Sequence, residues 1–486
     1  MDSPATIVPA RMSLSVRANP SQLECAFTVD GQEFRSATPL FSDRLLRDHH
    51  REVAVAVGGV RSSYSVLPTV RRDLRRIIPG PARSLLREVV MQRPGATAIA
   101  LEIMLNDPLI LERYPWELLA GHMRLPDRRI AVIVWRSVAT PTLLPRRPSS
   151  SVLLVGSASL DTTSTNAGQE LAHLAGLVAG HSGIHPYPHS TITFSNFVSL
   201  LPAIRPSVIH IVVHGNIHGF QFQEEAGYSE EHIDVLPQEL GGYLATSPTA
   251  NLTVLNACDS ANSWDYPTSM ACQIATTSST TTVGMSAEVP NPMGAKFSES
   301  LFHALVAGCS TIEAFGRAVD VIRRARKFTT LWSIPVMYAP PDSNVILFPA
   351  DPVGRIRLRF QELGRQLNEL ETEAAGLIDD AAAASGPRRG LGVAAIRLAY
   401  ICDLIDDLEQ PSTFQEPEYV YPRLLLRQTQ GHARQALDEL SRTLRKLQHE
   451  RRPGEQRALT TRSIQRTLRD QVLAFARVEQ EFTGSR

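Results

Sequence analysis

The chain has 486 residues, 43% of them hydrophobic and 20% charged, with 49 Lys plus Arg against 49 Asp plus Glu. That length exceeds one ordinary domain, so two or three are expected, and the composition is that of a folded chain, not a disordered one. A formal net charge of zero speaks against a nucleic-acid partner, which a basic surface would have to hold by its phosphates.

No apolar run approaches the ~20 residues that a membrane-spanning helix needs. The start, MDSPATIVPARMS, lacks a charged segment followed by an apolar core, so no secretion signal is expected. Cysteines at 25, 258, 272, 309 and 402 are scattered and odd in number. Such usage reads as thiols kept reduced in a cytoplasm, not as a disulfide framework.

Residues 1–45 alternate apolar and polar in short runs, MSLSV and CAFTV among them, which predicts two or three small strands in a β-rich N-terminal segment. From Ser42 to about Val90 the period becomes helical, in RLLRDHHREV and ARSLLREVV. Strand-length apolar runs then recur at ATAIALEIM, RIAVIVW, SVLLVG, VIHIVV, NLTVLN and TTTVGM. Helix-length amphipathic segments lie between several of them, at 166–180, 235–245 and 292–307. Near-continuous apolar strands are what a parallel sheet covered on both faces requires, so 90–345 reads as an open, mostly parallel α/β sheet flanked by helices.

Beyond the Pro-rich APPDSNVILFPADP the chain turns to helix formers. Ile356, Phe360, Leu363, Leu367, Leu370, Ala374 and Leu377 form an apolar seam, and Ala433, Leu437, Leu440, Leu444 and Leu447 repeat its spacing. With segments near 391–409 and 459–482, this predicts an all-α four-helix bundle over 350–486.

Two strands run into reactive side chains. VIHIVV leads to His214-Gly215, and NLTVLNA leads to Cys258-Asp259-Ser260. The carboxyl ends of strands in an open α/β sheet share one edge, where ligands bind. A thiol and an imidazole delivered there are the parts of nucleophilic catalysis, the His taking the proton and the thiolate attacking a carbonyl. Backbone N–H groups of Gly215 and Cys258 are the natural donors to the resulting oxyanion. No cofactor is called for. Cys272, Cys309 and Cys402 lie in mostly apolar helical contexts and read as structural. A zinc site at His210, His214 and His218 is disfavoured, because four-residue spacing converges only on a helix and this segment reads as strand then loop; no metal is expected.

These motifs resemble those of CHAT domains, bacterial members of the caspase–separase clan of cysteine peptidases. VVHG at 212–215 is similar to the family's strand ending in His-Gly, and LNACDSA at 255–261 to its motif around the nucleophile. RYPWELL at 113–119 is similar to the Pro-Trp-Glu signature, FSESLFHALVAGCSTIEAFGRAVDVIRRA at 297–325 to the following helix pair, and LWSIPVMYA at 331–339 to the terminal strand. The separation of His214 from Cys258 also suits a caspase arrangement, with the base about 50 residues upstream of the nucleophile. Asn256 stands where Ser is common, and Asp259-Ser260 replaces Glu-Thr; neither change removes a reacting group. Trp116-Glu117 reads as a packing and hydrogen-bonding corner of the fold.

The resemblance implies a caspase-like domain over 46–345, with 46–90 as its helical N-terminal part, cleaving a partner protein through His214 and Cys258. It also implies a setting in bacterial defence or cell suicide. The bundle at 350–486 is then expected to bind an activating partner or the substrate. A catalytically silent scaffold that kept the fold, and a non-proteolytic hydrolase or acyltransferase using the same Cys, remain the alternatives. In a caspase-like site the specificity pocket lies between the loops after the nucleophile strand and the next strand. Those loops carry Asp259, Asp265 and Glu288 and no Lys or Arg, so a cationic side chain is the expected substrate feature.

Overall fold

A computed structural model describes residues 6–348, apart from 17–21, 58–65, 94–95, 126–128, 141–147, 157–166, 182, 217–218, 224–231, 264–267, 325–330 and 342. Ser3–Ala350 form one compact unit and Asp351–Arg486 a second. The helical bundle expected over 350–486 lies outside the described residues.

Three N-terminal strands appear as expected: β1 (Thr6–Val16), β2 (Gln22–Val29) and β3 (Gln32–Pro39). They are not a separate piece, however. β1 pairs in parallel with β4 (Ala96–Leu105), Ala10 opposite Leu101, so the segment extends the main sheet. Nothing in the sequence signals this pairing, because an alternating strand reads alike whether its partner is local or distant. Helices α1 (Asp43–Val57), α2 (Leu67–Ile77) and α3 (Gly80–Met91) follow. In α2 the buried residues are Val70, Leu74 and Ile77, one face at three-to-four spacing.

After β4 come the short helix α4 (Pro108–Leu111), a 3-10 turn (Trp116–Leu119), β5 (Gly121–Arg124), β6 (Arg129–Ser137) and β7 (Ser151–Gly156). Then follow α5 (Ala167–Ala179), β8 (His185–His189), α6 (Phe194–Ile204), β9 (Val208–Val212), β10 (His214–Asn216), β11 (Gly219–Gln223) and β12 (His232–Val235). The unit closes with α7 (Pro237–Thr246), β13 (Leu252–Asn256), α8 (Met270–Ser278), β14 (Thr281–Met285), α9 (Asn291–Val306), α10 (Thr311–Arg324) and β15 (Pro335–Ala339). All six apolar runs and all three amphipathic segments picked from the sequence are strands and helices here.

Among the described residues the main sheet has 12 strands in the order β3-β2-β1-β4-β6-β15-β14-β13-β9-β7-β8, with β5 beside β6. The pairs from β1 to β6, from β6 to β15 and from β14 to β8 are parallel. β15 runs antiparallel to β14, and β1, β2 and β3 are mutually antiparallel. This is a large α/β sheet, mostly parallel and flanked by helices.

The pleat sorts its two faces. Leu153, Val155, Ile209, Ile211 and Leu255 pack with Phe197, Phe222, Leu240 and Ile274 in one apolar core. Their even-numbered neighbour His210 points the other way, edge-on to Phe302 of α9 with ring centroids 5.5 Å apart. No described helix is long and apolar enough to cross a membrane.

Candidate active site

β9 and β13 are parallel neighbours in register, Val212 opposite Asn256. His214 and Cys258 each lie two residues beyond that matched pair. Past Val213 the chain leaves the main sheet, and His214 opens β10, the first strand of a small antiparallel sheet with β11 and β12. The sequence reading, strand then loop, missed this second sheet, whose strands are too short to show a period.

The two strand ends meet. A Cβ placed on Gly215 would lie 2.4 Å from the carbonyl oxygen of Cys258 and 3.4 Å from Cβ of Ala257. Only glycine fits, since real Cβ contacts do not fall below 3.0 Å. His214, Gly215 and Cys258 are all half-buried, so the pair is sheltered but reachable.

Burial pushes the Cys258 thiol above its ordinary value; an N–H from Val289 opposes this, while the carboxylates of Asp259 and Glu288 add to it. The thiol's own backbone N–H also favours the thiolate. Among the described residues no hydrogen bond joins Cys258 to the His214 ring.

The turn after Cys258 is held rigidly. Asp259 adopts a left-handed conformation at φ 57°, which Asp tolerates better than most residues. Its Oδ1 accepts from Nδ2 of Asn262 at 3.2 Å. Ser260 is fully buried; its hydroxyl donates to Ala257 O and accepts from the N–H of Met285, both at 2.9 Å. It thereby joins the nucleophile turn to the end of β14. Glu288 is exposed, and Asp265 lies outside the described residues.

A buried carboxylate sits beneath the two strands. Glu170 of α5 accepts from Nε2 of His210 at 2.9 Å and, with both oxygens, from Nδ2 of Asn256 at 3.0 Å. Burial would raise its carboxyl, but the bonds from His210 and Asn256 outweigh it and hold the group below its usual range. Asn256 therefore has a structural reason to be there. It ties β13 to the same acid that grips β9, while Gly294 of α9 leaves room for its amide.

Toward β4 the Pro-Trp-Glu segment forms the corner expected of it. Nε1 of Trp116 donates to Leu111 O at 2.8 Å. The buried Arg136 guanidinium grips both oxygens of Glu117 at 2.8 Å and donates to the carbonyls of Glu112 and Tyr114. Glu112 accepts at Oε1 from the Tyr338 hydroxyl at 2.8 Å and the Ser269 N–H at 3.1 Å. A small cleft of about 50 Å³, open to solvent, lies between this corner, α1 and the loops after β13 and β14.

No known protein family and no curated protein matches the chain. It is similar to solved structures of separase. Two Saccharomyces cerevisiae separase–securin complexes align over 69% of this chain, with TM-scores of 0.41 and 0.40 and identities of 9% and 10%. The chain spans 30% of the length of those separase chains.

Sequence reasoning did not single out Glu170, Val289 or Glu112. Glu170 had a signal, as the lone acid in the largely apolar helix AGQELAHLAGLVA. Val289 contributes a backbone N–H, which has no side-chain signature.

Proposed function

We propose that the chain is a caspase-like cysteine endopeptidase of the CHAT type, with Cys258 as nucleophile and His214 as base. The observation that carries this reading is the closure of Gly215 onto the Cys258 carbonyl at the ends of two parallel strands in matched register. The resting thiol is held protonated by burial, so a base is needed to ionise it. His214 takes the Sγ proton as sulfur attacks the scissile carbonyl, and the N–H groups of Gly215 and Cys258 hold the oxyanion. Collapse breaks the C–N bond and leaves a thioester, with His214 returning the proton to the departing amine. Water, deprotonated by His214, then hydrolyses the thioester and regenerates the thiol. The Val289 N–H supports the thiolate between these steps. Asp259, Glu288 and Asp265 supply an acidic approach for the substrate.

A protease of this type has its place in a bacterial defence or cell-suicide system, as the resemblance implies, with 350–486 docking the activating partner or the target. Deleting 350–486 spares cleavage of a short peptide and abolishes cleavage of the natural target. The direct test is proteome-wide identification of cleavage sites with wild type, Cys258→Ala and His214→Ala. Either substitution lowers cleavage by several orders of magnitude and leaves thermal unfolding unchanged. Cleavage sites that persist in Cys258→Ala would leave a scaffold in its place.

A further inference from the structure

The last register-matched pair of β9 and β13 is Val212 with Asn256. Beyond it the two chains share no ladder, since His214 opens β10 in the small sheet. Yet the ends must meet closely, because Gly215 approaches the Cys258 carbonyl as far as a glycine can. Ladder bonds set the distance between chains only where both are extended and paired. Another contact has to fix the spacing where the pairing stops.

Glu170 sits at that level. It lies in the first turn of α5, where the helix dipole favours a negative charge. Its side chain is 10% exposed, and the buried residues of α5 are Ala167, Leu171, Leu174 and Val178. An apolar side chain would suit that packing, whereas an enclosed charge is costly unless its bonds offset the lost water. The bonds it makes are one to each strand. Nε2 of His210 donates from four residues before His214, and Nδ2 of Asn256 donates from two residues before Cys258. Both donors are backed by α9: the fully enclosed His210 ring stands edge-on to Phe302, and a Cβ on Gly294 would fall 2.9 Å from the Asn256 amide.

We propose that Glu170 is a positioning residue for the dyad: through His210 and Asn256 it sets the spacing of the β9 and β13 ends and so brings His214 within reach of Cys258. It acts through the strands and takes no part in the proton transfers. A misplacement of about 1 Å between reacting groups costs on the order of 100-fold in rate. The role rests on the protease reading; the anchor between α5 and the two strands does not.

The test uses the full-length chain and two readouts. In the first, cleavage of a peptide is followed at varied concentration. Glu170→Gln lowers kcat on the order of tenfold, with KM within about twofold of wild type. Asn256→Asp, which sets a second carboxylate against the first, lowers kcat on the order of 100-fold. Combined, the two substitutions restore an acid–amide pair with the partners exchanged, and kcat returns to within about fivefold of wild type. In the second readout, alkylation of Cys258 by iodoacetamide is measured by mass spectrometry across pH. The wild-type rate follows the titration of His214, whereas His214→Ala reacts only at the higher pH of a lone thiol. Asn256→Asp takes on the His214→Ala profile, and the double variant moves back. A group that only stabilises the fold would lower the unfolding midpoint and move neither kcat at constant KM nor this profile. Asn256→Ala, which adds no charge, takes the place of Asn256→Asp if the latter unfolds, and loses kcat and the profile in the same way. An unchanged kcat and profile in the folded Asn256 variant overturns the proposal and leaves the protease reading standing, as does a double variant no better than Asn256→Asp alone. Wild type that cleaves no peptide and alkylates like His214→Ala removes the protease reading, and the positioning role with it. If no peptide is cleaved but wild type and His214→Ala alkylate differently, the alkylation profiles of the Asn256 variants decide alone.

Discussion

Glu170 and Glu112, two carboxylates with little exposed surface, are completed to different degrees. Glu170 has both oxygens bonded, to His210 and to Asn256, and its bonds reach β9 and β13, the strands that lead to His214 and Cys258. The loose end of that cluster is Nδ1 of His210, a bare acceptor when the neutral ring donates through Nε2. Glu112 fixes its corner through Oε1, while its Oε2 is buried without a hydrogen-bond partner. Both acids are enclosed in the same sheet assembly, so burial does not separate their roles. Satisfaction of the carboxylates does: both oxygens of Glu170 are bonded and hold two strands in place, whereas one oxygen of Glu112 has no partner.

The comparison breaks most visibly at Arg136. Arg136→Met leaves the buried Glu117 carboxylate without its partner, a loss of about 3–5 kcal/mol, read by urea unfolding. A loss below about 1 kcal/mol would mean that the corner is wetter than its geometry implies. Acid sharpens the contrast next. Burial holds the His49 imidazole down at about 4, against an ordinary value near 6.5. The unfolded chain therefore takes up this proton first as pH falls. Stability is unaffected above pH ~6.5 and declines by about 3 kcal/mol between there and pH ~4, then levels off for this group. His49→Gln removes that slope in a pH series of unfolding midpoints. Glu170 acts over a lower range: its stabilisation is complete above the usual carboxylate value and fades as pH falls through its depressed one.

A paired substitution measures the difference between the clusters itself. Glu170→Gln weakens three hydrogen bonds to a charged acceptor and costs about 2 kcal/mol. In Glu112→Gln the amide oxygen keeps both bonds made by Oε1, and the cost stays below about 1 kcal/mol. Equal losses in urea unfolding would erase the distinction between the two acids. The smallest effect belongs to Ser260→Ala, about 1 kcal/mol from unmaking the staple between the nucleophile turn and Met285. Its sharper readout is faster hydrogen exchange at the Met285 amide, which loses its acceptor.

The sequence by itself determined the strands, because burial on both faces of a parallel sheet demands unbroken apolar runs such as VIHIV and LTVLN. It also placed His214 and Cys258 at strand ends, and it marked Trp116-Glu117 as a corner, since a Trp and an acid flanked by apolar residues need buried partners. The order of those strands was decided only by the tertiary structure. The N-terminal hairpin turned out to extend the main sheet through β1 and β4, a pairing between segments some 90 positions apart that no local period encodes. Only the fold, too, showed that one acid on α5 ties β9 to β13, that Gly215 lies against the Cys258 carbonyl, and that Oε2 of Glu112 is left without a partner. Such properties belong to contacts between distant segments. A residue's type fixes what it can bond, but the packing around it decides which of those bonds are made and which are withheld.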